Sequence, residues 1–308
     1  MFALPPHCCA PTTKFAAGTV YEAELQAVVE PMRRLLPILL ALLLAAPLLG
    51  QVSELGITGG VTYYIGDLNP LKHYPKNTHL GGGLVYRYNF NDRYAFRLQG
   101  LYGKLEAYDS DSDDSLQVRR NLSFRANLFE VSGLIEVNFF KYRSTGKDSR
   151  RWTPFIFLGL AYFRASPQAQ LDDTWYDLPQ LGTEGQGSSL GEDTYKVDRI
   201  CLPFGAGLKF NLGKLDLQME WGLRRTWTDH IDDVSGTYVD NALLSFESGE
   251  LTAQLADRSD LRETGLNTGR ARGDSQTRDW YQYTGLTLTY LLTRFTECDE
   301  LYQRMNRR

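Results

Sequence analysis

Asp229-His230-Ile231-Asp232-Asp233 is the densest cluster of reactive groups in this chain of 308 residues. A carboxylate beside an imidazole could orient a general base, as in a membrane-embedded hydrolase, and the flanking carboxylates could bind a metal. Neither chemistry is complete, because the cluster brings one histidine and zinc sites generally need three protein ligands. Asp109-Ser110-Asp111-Ser112-Asp113-Asp114 begins like a calcium loop but lacks the glycine and the closing glutamate such loops carry at their sixth and twelfth positions. Arg272-Gly273-Asp274 is an integrin-type tripeptide that chance supplies often. The expectation is a protein without catalytic residues, metal or cofactor, in which Asp229, Asp232 and Asp233 form the base of a loop.

Most other charges follow a different spacing, that of strands. Leu202, Phe204, Ala206, Leu208, Phe210 and Leu212 alternate with Cys201, Pro203, Gly205, Gly207, Lys209 and Asn211. Leu215, Leu217, Met219, Trp221 and Leu223 alternate with Asp216, Gln218, Glu220, Gly222 and Arg224. Successive side chains on a strand point to opposite faces, so each segment has one apolar and one polar wall. Strands are expected near 54–65, 78–90, 93–108, 122–140, 152–164, 198–212, 214–228 and 278–293. Short connections alternate with long ones at 66–77, 109–121, 165–197 and 229–277, the organisation of an outer-membrane barrel. The fold expected is an all-β, eight-stranded antiparallel transmembrane β-barrel with short periplasmic turns, long extracellular loops and a short periplasmic C-terminal tail. A soluble lipocalin has as many strands, but its outer face is wet.

With the large apolar residues facing lipid, the interior collects Arg87, Arg97, Glu130, Glu136, Lys209, Asp216, Glu220 and Arg224. Four positive and four negative groups in a lumen that side chains just fill make a plug of ion pairs, not a pore. The fifth strand is ambiguous, with Phe155, Phe157 and Phe163 on one face and Ile156, Leu158, Leu160 and Tyr162 on the other.

The N-terminus supports export. Arg33 and Arg34 precede an apolar stretch, Leu35–Leu49, ending at Gly50, so residues 32–50 read as a signal peptide and 1–31 as an upstream extension outside the mature protein. The barrel domain is expected over 51–293 and the tail over 294–308. Loss of residues 1–50 removes Lys14, Arg33 and Arg34 together with Glu22, Glu24 and Glu30, so the net charge stays at −4, which argues against a nucleic-acid partner. No apolar run of about 20 residues follows, and a mature chain that spans a membrane must then close as a barrel.

Charge is uneven among the connections. Loop 229–277 carries ten acidic and four basic residues, whereas the short turn 141–151 holds Lys141, Arg143, Lys147, Arg150 and Arg151 against Asp148. Such loops ordinarily serve as solubilising surface, and the basic turn could dock an acidic periplasmic partner. Cys201 lies near the outer end of its strand and Cys298 in the periplasmic tail, too far apart for a disulfide, which leaves Cys298 available to another protein.

Glu54-Leu55-Gly56 through Gly66-Asp67-Leu68-Asn69, Trp152 to Gly159, Pro203 to Lys209, and above all Arg225-Thr226-Trp227-Thr228-Asp229 to Asp240 resemble the PorG-like outer-membrane barrels of the type IX secretion system. His230 stands where that family usually has Tyr, and Cys298-Asp299 where it often has Cys-Pro. The resemblance implies a non-enzymatic component of a Bacteroidota export machine for gliding adhesins and hydrolases. It would sit in outer-membrane lipid and hold a periplasmic ring built from a lipoprotein and its partner. Contact would run through Arg143, Lys147, Arg150 and Arg151 in the turn and Cys298 and Arg304 in the tail. The alternative is an independent adhesin or solute channel acting through its extracellular loops.

Overall fold

The computed structural model describes residues 52–69, 77–142 and 150–292. The segments expected to be signal peptide and periplasmic tail, and most of the basic turn, lie outside them. Nine strands form: β1 (Val52–Ile65), β2 (His79–Asn89), β3 (Tyr94–Tyr108), β4 (Ser123–Asn138), β5 (Trp152–Leu171), β6 (Thr174–Asp177), β7 (Asp198–Asn211), β8 (Leu215–Thr226) and β9 (Trp280–Leu291). Eight of them pair antiparallel in the order β1-β2-β3-β4-β5-β7-β8-β9, and β9 returns to β1, with Gly60 opposite Gly285. These eight strands therefore close into a barrel, and β6 pairs only with β5. No described helix is long and apolar enough to cross a membrane.

The sequence dictates the short turns. Asn91 Oδ1 accepts from the backbone N–H of Arg93 and Tyr94 at 2.8 and 2.9 Å, closing β2 onto β3. At the β7–β8 turn Gly213 takes φ +98°, open only to a residue without Cβ.

The exterior is apolar. Leu55, Ile57, Leu84, Leu98, Val131, Ile135, Leu158, Leu160, Met219 and Leu286 project outward, and Leu80 is 85% exposed. Exposed Phe90, Tyr94, Phe139, Trp152 and Tyr290 ring the short-turn end. Tyr102, Tyr162 and Trp227 lie towards the other. From Tyr94 to Tyr102 is about 26 Å along the strand, or about 20 Å of height at a tilt of roughly 40°, which covers most of an apolar band of about 25 Å. A closed barrel wrapped in an aliphatic band between aromatic girdles is an outer-membrane protein.

On β5 the ambiguity resolves. Phe155, Phe157 and Phe163 are buried inside, while Ile156, Leu158, Leu160 and Tyr162 face out. β5 also runs to Leu171 and pairs with β6, a hairpin in the segment expected to be loop from 165 onward. At Pro167 β5 still pairs with β4, opposite Ala126, but its ladder to β7 has ended at Arg164, so the missing N–H costs little. This and two other long connections are not plain loops either. They hold α1 (Ser115–Arg120), α2 (Leu178–Leu181), α3 (Asn241–Ser248) and α4 (Glu250–Ala256). Asp114 caps α1 and Asp240 caps α3 through their side chains.

Candidate functional site

The lumen has two storeys. The lower holds the charges picked out by alternation, all eight inside the barrel and none more than 3% exposed, and it reaches up to Glu130 and Arg224, level with Phe163 and Tyr281. Glu136 is the hub of these charges. It accepts from Arg87 Nε at 2.8 Å and Lys209 Nζ at 2.6 Å, and forms an ion pair with Arg97, whose Nε lies 3.1 Å away. Arg97 also pairs with Glu220, and Gln218 Nε2 donates to Glu220 Oε2 at 2.6 Å. Arg224 pairs with Glu130 at 3.2 Å, and Tyr281 Oη donates to the same carboxylate at 2.9 Å. Asp216 accepts from Asn211 Nδ2 at 3.1 Å. Sequence reasoning missed Glu54, whose alternation with outward Leu55 and Ile57 could have revealed it. Its carboxylate takes Arg87 Nη1 at 2.9 Å and Asn89 Nδ2 at 2.6 Å. Four cations thus face five carboxylates. Aromatic rings fill the remaining space, with Arg97 5.0 Å from the Phe157 ring centre and Lys209 4.6 Å from that of Phe155.

Above the Arg224–Glu130 pair the filling is apolar, which corrects the picture of a lumen plugged by charge alone. Tyr64, Leu105, Phe124, Leu128, Phe163, Cys201 and Tyr281 pack there, and the loop residues Ile231 and Val234 join them from above. Cys201 is fully buried, its thiol 3.3 Å from Tyr281 Oη.

Above this core lies the loop base, and here the acidic residues are buried, not solubilising surface. Asp229, Asp232 and Asp233 are all at most 3% exposed. Tyr64 Oη lies 2.6 Å from Asp232 Oδ2 and 2.6 Å from Asp279 Oδ1. A phenol has one proton to donate, so one of the two carboxyls must carry a proton and donate it to the phenol oxygen. Backbone N–H groups of Ile231 and Val234 occupy the other carboxyl oxygens, at 2.8 and 3.0 Å. Burial raises both acids, and Asp279 is pushed up to about 8. Asp229, raised chiefly by burial, sits at about 7. Gly66 permits the approach, since a Cβ there would lie 2.0 Å from Tyr64 Oη.

Asp233 ties two loops together. It accepts from Tyr195 Oη at 2.5 Å and from Thr183, and Arg272 Nη2 lies 3.6 Å away. Arg272 also reaches Glu184 at 2.9 Å, while Glu184 accepts from the backbone N–H of Ser235 and Gly236. The arginine of the Arg-Gly-Asp tripeptide is therefore an internal brace. His230 does not complete a dyad: its Nδ1 lies 2.7 Å from the carbonyl oxygen of Asp229, and its ring packs edge-on to Tyr195 at 4.5 Å. Asp109, from the calcium-like stretch, is bound by Arg120 at 2.7 and 2.8 Å. Sequence reasoning missed Asp279, Glu184 and Arg272 as members of this network. Of them only Asp279, a carboxylate abutting Trp280-Tyr281 at a strand start, leaves a local trace.

Of the proposed periplasmic contacts, Arg150 and Arg151 are described and exposed. Arg150 stacks over Phe140 at 4.2 Å. Arg143, Lys147, Cys298 and Arg304 lie outside the described residues.

A family profile described as "Domain of unknown function (DUF6089)" matches residues 33–255. No curated protein matches the sequence. Among solved structures, the chain is similar to the attachment invasion locus protein Ail of Yersinia pestis. Identity there is 12%, over 79% of this chain and 99% of that one, with a TM-score of 0.36. It is similar to Neisserial surface protein A at 9% identity, over 77% and 96%, with a TM-score of 0.37. The N-terminal β-barrel domain of Pseudomonas aeruginosa OprF matches at 12% identity, over 78% and 98%, with a TM-score of 0.31. The barrel assignment itself stands on the closed strand order and the apolar exterior.

Proposed function

This chain belongs to the DUF6089 family, a name that carries no activity, and we propose from the barrel itself that it is a non-conducting outer-membrane anchor. Its task is to hold a periplasmic ring of a protein-secretion apparatus of type IX. The observation that carries this reading is the lumen, where Glu136, Arg87, Arg97, Lys209 and Glu220 interlock across the bore and Phe155 and Phe157 close the gaps. A barrel so filled leaves no path for a solute or an unfolded chain, and its use must lie at its ends. The periplasmic end offers exposed Arg150 and Arg151. The resemblance to PorG-like barrels adds Arg143, Lys147, Cys298 and Arg304 and supplies the ring lipoprotein and its partner. Deleting 294–308 tests the idea: the barrel should still insert and fold, but should no longer co-purify with periplasmic proteins, and export should fall. Unchanged co-purification and export would end the anchor reading.

A second reading, a surface barrel that acts through its loops, draws on the buried loop base, since Arg272, Asp233 and Tyr64 hold the extracellular segments in one arrangement. Loop deletions that abolish function while the tail is dispensable would favour it.

A further inference from the structure

A cleft of about 320 Å³ opens between α1 and the segment 259–272, away from the lumen and from the periplasmic end. Its lining contains Arg119, Arg120, Arg270 and Arg272 and not one carboxylate. That is opposite to its surroundings, because loop 229–277 holds ten acidic residues and only four basic ones. Leu116, Leu261 and Ala271 give it apolar walls.

The four arginines are not equivalent. Arg120 and Arg272 are already engaged. Arg120 grips Asp109 and donates to the carbonyls of Asp67 and Arg272. Arg272 is held by Glu184 and Asp233. Both are neutralised by these carboxylates and serve as fixed walls, which leaves Arg119 and Arg270 as the guanidinium groups able to meet a ligand. Arg119 pairs with Asp260 at 3.4 Å, but the two side chains are 59% and 63% exposed. An ion pair so exposed is worth little and is readily exchanged for a ligand anion. Arg270 is exposed and makes no ion pair among the described residues. Tyr238 is 92% buried at the cleft wall, and its hydroxyl has no hydrogen-bond partner among the described residues.

We propose that this cleft binds a small organic phosphate, with Arg270 and Arg119 forking onto the phosphate oxygens, Tyr238 donating to one of them, and Leu116 and Leu261 covering the organic body. Guanidinium groups match phosphate geometry in two-pronged fashion, and a volume of this size suits a single ring or sugar. The phosphate could arrive on a free metabolite or on a phosphorylated glycolipid of the surrounding membrane. The binding chemistry is the same.

The probe is phenyl phosphate, titrated into the full chain in detergent micelles by isothermal calorimetry, with phenol as its uncharged counterpart. Saturable binding of phenyl phosphate but not phenol is expected, weakened about tenfold in Arg270→Gln. Tyr238→Phe should weaken it by a smaller factor. Heat-modifiable migration on gels shows that each variant barrel is folded, and Arg270→Gln removes no ion pair of the described residues. Vesicles carrying a phosphorylated glycolipid are then added. Competition with phenyl phosphate identifies a membrane source, and lack of competition a free one. Equal affinity of wild type and Arg270→Gln, equal binding of phenol, or no saturable binding at all would overturn the assignment.

Discussion

At the scale of the residue, Glu136 shows how charge can fill a membrane barrel without destabilising it. A carboxylate taken out of water is costly unless its partners supply the lost hydration, and Glu136 has three cationic partners within 3.1 Å. The converse is a prediction. Glu136→Ala leaves Arg87, Arg97 and Lys209 facing one another in a dry bore, and should destabilise the barrel by about 3–5 kcal/mol in urea titrations in lipid. Glu136→Gln, which keeps the volume, should recover part of that loss. His230 teaches the opposite lesson. A histidine beside aspartates in sequence invites a catalytic reading, yet its ring nitrogen meets a main-chain carbonyl. Adjacency along the chain is not adjacency in space.

At the scale of the element, the loop base joins the start of the first extracellular connection, the acidic motif and the approach to β9 through one buried phenol. Its pH dependence has a defined sign. Asp279 titrates near 8 when folded, against an ordinary carboxylate value near 3.8, so the folded loop binds its proton more tightly than the unfolded one. The stabilisation is complete in acid and is lost as pH rises from about 4 through 8. Asp67 and Asp229 reinforce this by repulsion, while Arg120 beside Asp232 and Arg278 beside Asp229 act against it. Protease cleavage within 229–277 should therefore quicken as pH rises through this window. Asp279→Asn, which carries its proton permanently, should flatten the profile. An equally steep profile in that variant would refute the assignment of the proton to this pair.

At the scale of the whole molecule, lipid and interior exchange their usual places. The aliphatic residues form the coat, and the lower half of the interior is a salt lattice. An arginine placed in the coat at Leu158, near mid-height of β5, should cost about 2–4 kcal/mol in folding titrations, far more than at the rim. In planar bilayers the wild-type barrel should show no unitary conductance, because the ion pairs and the phenylalanines together fill the bore. Steady channels would mean that the plug opens, and would shift the balance towards a solute-passing role.

How much of this was written in the chain depends on how far apart the interacting residues lie. Alternation along β7 and β8 is local, repeating every two residues, so the sequence alone was enough to place strands and assign the outward face, and it collected the inward charges apart from Glu54. It fell short where both faces are apolar, as on β5, because period two cannot say which apolar wall faces lipid. Closure decided that, by setting Phe155 and Phe157 against Lys209 and Arg97. The loops were the least legible. Tyr64 meets Asp232 and Asp279 across 168 and 215 residues, and no local pattern encodes such a meeting. Periodicity determined which way each strand looks. Only the closed barrel, by bringing its first and last strands side by side beneath the folded loops, decided which distant acids would share a proton.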